Sequence, residues 1–386
     1  MTVIIESIKV AELAEAVAAA STSLPSRPVI PILAALLIET DQNASTLTLS
    51  SYDYDRASRA TVTAAAVEAD ARIAVSGKLL GQVVKVAPKR EPLVLDLGPS
   101  ALVIRAGKTE FTLPLMDVED YPDLPDMADA EILGRADAAT LAAAVALVDV
   151  AADKSSDAPG ITHAIMLEAD GDKLTLAATD RFTLATTDVL WIPSPAHQSW
   201  DLSLKADELV AATGVFTDGN VTVRRAGGMV SLSAAVGEEL HVDSVLSVFD
   251  CALPQWRGLL DYPVNTTIEA GTAELVEVAR RAIAVSNTPG MMLKIAAAGI
   301  DVTVGAALID GVELESFDGE PIDYLINQTY LRNALSALGA STVRITLSAV
   351  GRPITISDAY ASNPARILVM GIRQTVTHRP DRGCWR

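Results

Sequence analysis

Basic charge, aromatic rings, cysteine and long apolar runs are all scarce in this chain of 386 residues. Its 30 lysines and arginines face 49 aspartates and glutamates, a formal net charge of −19, so only a local basic lining could hold nucleic acid. Aromatics make up 4% of the chain, which leaves Ala, Val, Leu and Ile to fill its cores. Cys251 and Cys384 are too few for a disulfide framework, and Cys251 reads as a packed thiol. No run of 18 apolar residues occurs, and the start MTVIIESIKV lacks the layout of a secretion signal. The sequence therefore predicts a soluble, cytoplasmic protein without membrane contact.

Catalytic constellations are missing as well. His163, His197, His241 and His378 have no metal-ligand spacing and no cysteine partner nearby. There is no Gly-x-Ser-x-Gly elbow, and Asp170 and Asp172 lack the remaining ligands of a calcium loop. Gly107-Lys108-Thr109 looks like the end of a phosphate loop, but the position that needs the first glycine is Leu102, and a turn between strands fits better. No catalytic residue, metal or cofactor is expected.

What is present is a repeat. From Ala164 to Ala185, Ile165, Leu167, Leu174 and Leu176 alternate with polar or small neighbours, the period of a half-buried strand. Asp170-Gly171-Asp172 supplies turn chemistry between the two runs. The pattern stands earlier from Ala35 to Val62 and, more weakly, later from Met291 to Leu314. Leu37, Leu167 and Leu293 are 130 and 126 residues apart. A helix is expected before each hairpin, with apolar stripes Leu13/Val17, Leu141/Val145/Val148 and Leu275/Val278/Ala282. Another is expected after each, opening at Ser76, Lys205 and Asn327; the last carries Leu331, Leu335 and Leu338 and stops at Gly339. Each unit reads helix, strands, helix, strands. The Pro-bearing segments around Asp120-Tyr121-Pro122 and Asp261-Tyr262-Pro263 mark the boundaries. The fold class is α+β, with three similar domains expected at 1–128, 129–262 and 263–373 and a tail at 374–386.

The few cations gather in the helical regions: Lys78, Lys85 and Lys89, then Lys154, Lys205, Arg280, Arg281 and Arg332. Singly they solubilise a helix; together they point to helices lining a common positive channel.

With these residues the chain resembles the bacterial sliding clamp family, the beta subunit of DNA polymerase III, over about Val3 to Arg373. The resemblance is carried by Arg27-Pro28 with Pro31-Ile32-Leu33, Arg105-x-Gly107 with Phe111-x-Leu113, and Asp120-Tyr121-Pro122. Ala178-Thr179-Asp180-Arg181-Phe182, Asn327-x-x-Tyr330-Leu331 and Val369-Met370-x-x-Arg373 complete it. It implies three similar domains, each with two helices packed inside curved antiparallel sheets, and a head-to-tail homodimer that closes into a ring around double-stranded DNA. Arg27 joins the eight cations above as an implied, sequence-independent DNA contact. The implied partners are the DNA polymerase III alpha subunit, a clamp loader and other clamp-binding repair proteins. The implied role is non-catalytic: a tether that keeps polymerase at the primer end. A triplicated interaction scaffold that does not encircle DNA is the alternative, and a dimer by sizing would separate the two.

The resemblance also implies a seam and a pocket. The seam pairs Phe111 and Leu113 with Ala284 and Val285 of the second copy, Lys108 lying near Glu313 and Glu315. The pocket, which takes extended peptides of the Gln-Leu-x-Leu-Phe kind, involves Thr162, Thr179, Arg181, Phe182, Thr183, Leu184, Pro254, Gly258, Leu259, Asn327, Tyr330, Pro353, Val369, Met370, Ile372 and Arg373. Four positions depart from common family usage: Thr162 for Leu, Thr183 for Arg, Gly258 for a long side chain, and Gly371 for Pro. Gly371 is expected to loosen the pocket wall. Together the departures raise a second possibility: an additional clamp with altered selectivity that resists a pocket-binding inhibitor.

Overall fold

The computed structural model describes residues 3–64, 66–155, 160–251, 255–286, 288–349 and 351–372. Pro254, Arg373 and the tail with His378 and Cys384 lie outside these residues. One order of elements runs through the chain three times: strand, helix, five strands, helix, three strands. The helices are α1 (Val10–Ala20), α2 (Gly77–Val86), α3 (Ala138–Val148), α4 (Ala206–Thr213), α5 (Thr272–Val285) and α6 (Gln328–Leu338). Each repeat opens on a strand, such as Val3–Lys9 or Thr266–Gly271, and not on a helix as the sequence pattern led us to expect. These strands are short, and Thr266–Gly271 offers only Ile268 and Ala270 as apolar residues, too little for an alternation to be read.

Caps set where helices begin. Asp137 accepts hydrogen bonds from the Thr140 N–H at 2.8 Å and from its hydroxyl at 2.6 Å, which starts α3. Asn327 accepts the Thr329 N–H at 2.9 Å and starts α6, which ends at Gly339 with φ +62°. None of the described helices is long and apolar enough to cross a membrane.

The chain forms two compact units. The first comprises Met1–Val145, Ala164–Thr175 and Val189–Asp250. Fourteen of its strands build one antiparallel sheet, while Ala164–Asp170 and Ser199–Lys205 pair with each other in a second one. In the 14-stranded sheet Arg56–Thr63 pairs with Leu240–Ser247 from Arg56↔Leu246 to Val62↔Leu240, so the first repeat and part of the second share a continuous ladder. Helix α1 buries Leu13, Ala16, Val17 and Ala20. The Ser51 hydroxyl donates to the Ala20 carbonyl, and Ser58 exchanges hydrogen bonds with Thr22 and Ser23. A second cluster gathers Ile32, Leu33, Leu37, Tyr52, Tyr121 and Val245, with Leu124 and Met127 packed against it. The Pro-bearing segment around Tyr121, read from sequence as a domain boundary, is thus a packed strap. Tyr121 is 4% exposed, burial pushes its phenol well up, and its hydroxyl donates to the Ser50 carbonyl.

The second unit comprises Ala146–His163, Leu176–Asp188 and Cys251–Arg386. Strands Arg366–Val369, Ile354–Asp358, Thr342–Leu347, Thr266–Gly271 and Leu314–Gly319 lie side by side in that order. Thr183 to Thr186 pair with Val369 to Arg366 on the near edge, which draws part of the second repeat into this unit. Ala307–Val312, Gly299–Val304, Met291–Ala296 and Ile322–Ile326 form a four-stranded sheet. Helices α5 and α6 bury Leu275, Val278, Ala279 and Ala282, and Leu331, Ala334 and Leu335.

Candidate functional site

All the described residues expected to form the pocket fall within the second unit. The turn after Thr179 is its most constrained part. The Thr179 hydroxyl donates to the Thr183 carbonyl at 2.7 Å and accepts the Arg181 N–H at 3.1 Å. The Asp180 carboxylate accepts the N–H groups of Phe182, at 2.8 Å, and Thr183. Burial pushes the Asp180 carboxyl up, and these N–H groups hold it partly back. The chain can then reverse only with Arg181 at φ +78°, a left-handed conformation that costs a non-glycine residue about 1–3 kcal/mol. That geometry pushes Phe182 outward, 52% exposed, onto Tyr330 in the first turn of α6. The two rings stack with centroids 6.0 Å apart.

The strand end closes on the same turn. Met370 donates its N–H to the Phe182 carbonyl at 2.8 Å, and Val369 pairs with both Thr183 and Ile354. Ile372 donates to the Leu325 carbonyl at 2.8 Å, beside a bridge between Ile326 and Gly371. Gly371 is therefore pinned on both sides, and the expectation that it loosens the wall is corrected. Asn327 uses its side-chain oxygen as the cap of α6, and its amide nitrogen makes no hydrogen bond among the described residues.

The pocket residues divide by exposure. Arg181, Phe182, Gly258 and Leu259 are exposed, while Asn327, Tyr330, Met370 and Ile372 are half-buried. Thr162, Thr179, Thr183, Leu184, Pro353 and Val369 are buried. Thr162 is fully covered and reaches no surface, which corrects its expected place as a peptide contact. No neighbouring atom lies within 4 Å of where a Gly258 side chain would begin. Tyr324 did not enter the sequence reading, yet its hydroxyl donates to the Arg352 carbonyl next to Pro353. A lone tyrosine in a short strand carries no sequence signal for that role.

The cations expected to meet DNA are less available than their positions implied. The helices carry Lys78, Lys85, Arg280, Arg281 and Arg332 against Glu12, Glu15, Asp207, Glu208, Glu274 and Glu277. No net positive face follows from the helices alone. Arg280 grips Glu277 through two bonds of 2.8 Å, and Arg281 pairs with Glu277 and Asp310. The Arg280 hydrogen bond, with the charge of both arginines, holds the Glu277 carboxyl well down, at about 2. Lys205 sits at the start of α4, 3.1 Å from Glu208 and 3.4 Å from Asp55. Lys154, outside any helix, pairs with Asp149 at 2.7 Å. Arg27, Lys78, Lys85 and Lys89 are exposed, Lys89 just beyond α2, and Arg332 is half-buried with a bond to Asn333.

The expected seam residues fare differently. Ala284 and Val285 end α5 exposed, Val285 at 62%, and Lys108 is exposed. Leu113, paired with Leu102, is 1% exposed within its own unit, while Phe111 is half-buried. Leu113 is core, which corrects its placement on an open edge. Glu315 already accepts hydrogen bonds from Thr342 and Tyr360, leaving Glu313 the freer carboxylate.

Comparison with known proteins adds the lineage. A family model described as the N-terminal domain of the DNA polymerase III beta subunit matches residues 4–125. The chain is 30% identical over 376 residues to the beta sliding clamp of Streptomyces coelicolor, covering 94% of this chain and 97% of that protein. It is 25% identical over 373 residues to the beta sliding clamp homolog GriR of Streptomyces muensis, covering 94% and 97%. In fold it matches a sliding clamp from Pseudomonas aeruginosa solved with griselimycin bound, TM-score 0.86 at 19% identity, covering 97% of this chain and all of that one.

Proposed function

The chain belongs to the beta sliding clamp family, the non-catalytic processivity subunits of DNA polymerase III, and from that membership we propose that two copies encircle duplex DNA and tether the replicative polymerase. The thrice-repeated element order, in a chain matched along nearly its full length to one clamp, carries this reading. In it, 1–128, 129–262 and 263–373 are three clamp domains whose helices line the opening. Closure by a head-to-tail contact requires two seams, hence a dimer. Retention is then topological. A lining in which Lys154, Lys205, Arg280 and Arg281 are paired and Lys78, Lys85 and Lys89 stay exposed needs only weak, sequence-independent phosphate contact, which permits sliding. The cleft beside Phe182 and Tyr330 holds the polymerase's extended peptide, its apolar side chains on the aromatic stack and its backbone on the Asn327 amide. Other clamp-binding proteins compete there, and opening the ring is left to a separate loader.

The test is retention on nicked circular DNA after loading and a moderate-salt wash. Cutting the circle should release the protein, because a ring slides off a free end. Equal retention on cut and uncut DNA would exclude encirclement and favour the scaffold reading.

A second reading rests on the replaced pocket positions. Thr183, Gly258 and Gly371, together with the likeness to a clamp homolog, support an additional clamp that still takes polymerase but refuses a pocket-binding inhibitor. Titrating a Gln-Leu-x-Leu-Phe peptide and griselimycin separates the readings. Comparable tight binding of both would sink the selective clamp.

A further inference from the structure

After Trp191, Tyr324 is the bulkiest of the fully buried side chains. It lies in strand Ile322–Ile326, opposite Leu293, and is 1% exposed. A phenol placed so deep needs partners for its hydroxyl. It donates to the Arg352 carbonyl, and Gly371 lies close against the same hydroxyl. One hydroxyl thus meets two stretches that are not neighbours in the chain, one around Arg352 and Pro353 and one around Met370 and Gly371. Both contribute residues to the cleft described above.

Gly371 makes this possible through space rather than backbone freedom. A Cβ at 371 would stand 2.5 Å from the Tyr324 hydroxyl oxygen and 2.8 Å from the ring carbon that bears it. The ring has little room to retreat, being buried on all sides, and the Gly371 backbone is pinned through its neighbours. With Tyr324 in place, no residue larger than glycine fits at 371 without displacing the phenol.

We propose that Tyr324 and Gly371 act as a matched large and small pair that sets the end wall of the peptide cleft, with Tyr324 the positioning residue that decides which peptides the cleft accepts. This rests on the cleft being the peptide site. The phenol fixes the spacing between Pro353 and Met370, and Gly371 leaves that wall without a side chain. A peptide held by the Phe182–Tyr330 stack keeps its contacts. A ligand that depends on an apolar ring at 371 loses one.

The test uses the full chain and two labelled peptides, one of the Gln-Leu-x-Leu-Phe type and one with its terminal Phe replaced by Leu. Anisotropy gives affinities, and circular dichroism with melting reports the fold. Tyr324→Phe should keep the fold and weaken the first peptide at least fivefold, chiefly through faster dissociation. Gly371→Pro alone should lose binding or fold poorly. Tyr324→Leu combined with Gly371→Pro should recover the fold and shift the ratio of the two affinities at least fivefold from the unmodified chain. If Y324F and a folded double variant both keep the unmodified affinities and ratio, the pair is purely structural and the proposal falls. If the double variant does not fold, Y324F decides alone. If the unmodified chain binds neither peptide, the cleft reading has failed and takes the proposal with it.

Discussion

Phe182 and Tyr330, 148 positions apart in the chain, stack with their ring planes 15° from parallel. Such a pair contributes about 0.5–1.5 kcal/mol beyond the area it buries. Because Phe182 is half-exposed, shortening it should leave the fold intact and remove one wall of the cleft. Phe182→Ala is expected to weaken a Gln-Leu-x-Leu-Phe peptide by about tenfold, with melting little changed. Unchanged affinity by anisotropy would show that the peptide does not use this stack.

The seam is best probed at Val285. It is exposed in the single chain, so a charge there costs little unless a second copy covers it. Val285→Glu should give a folded monomer by light scattering. A charge at Leu113 would be uninformative, because that side chain is buried in its own core. A V285E chain that stays dimeric would place the seam elsewhere.

Cations without carboxylate partners should matter most for DNA. Lys78 and Lys85 are exposed on α2 and make no ion pair among the described residues, whereas Arg280 is held by Glu277. Replacing both lysines with Ala should lower the slope of log affinity against log salt by about 1.8, on the order of two phosphate contacts. Arg280→Ala should change it less. An equal change from Arg280 would mean that its ion pair opens on DNA.

Asp180 gives a pH signature. Burial raises its carboxyl above the unfolded value, so the folded state holds that proton more tightly. Its contribution to stability is full below the ordinary carboxylate pKa of about 4 and is lost as pH rises through the folded value. Asp180→Asn stays neutral and keeps an acceptor for the Phe182 and Thr183 N–H groups. Denaturant melts should show the variant gaining on the unmodified chain as pH rises from about 4 to about 7. The opposite trend would mean that the ionised form is the better fit.

Gly134 tests packing in the first unit. A Cβ there would lie 2.4 Å from a Trp191 ring carbon and 2.5 Å from the Ile192 carbonyl oxygen. Trp191 is 1% exposed and the carbonyl belongs to the paired strand, so neither can give way. Gly134→Ala should cost about 1–3 kcal/mol, read as a lower melting temperature. An unchanged melt would show that the ring can move.

Much of this protein was legible from sequence because its signals are local. Asp137 and Asn327 cap helices, Gly339 stops one, and alternating Leu167, Leu174 and Leu176 mark paired strands; each depends on atoms a few residues away. The repeat and the family followed from the spacing of such local patterns. The strands opening each repeat were lost because they are short and break strict alternation, as VIIESIK at Val3–Lys9 and TTIEAG at Thr266–Gly271 do. Leu113 and Phe111 share one alternation, yet only Leu113 is fully covered, and what covers a strand face is a matter of which element packs on it. Charge behaved likewise: Glu208, three residues on, is a partner of Lys205 that sequence can show, but Asp55 is brought beside it from 150 residues away. The Tyr324–Gly371 fit lies furthest beyond sequence reading, because a missing side chain has meaning only when the atom that fills its place is known.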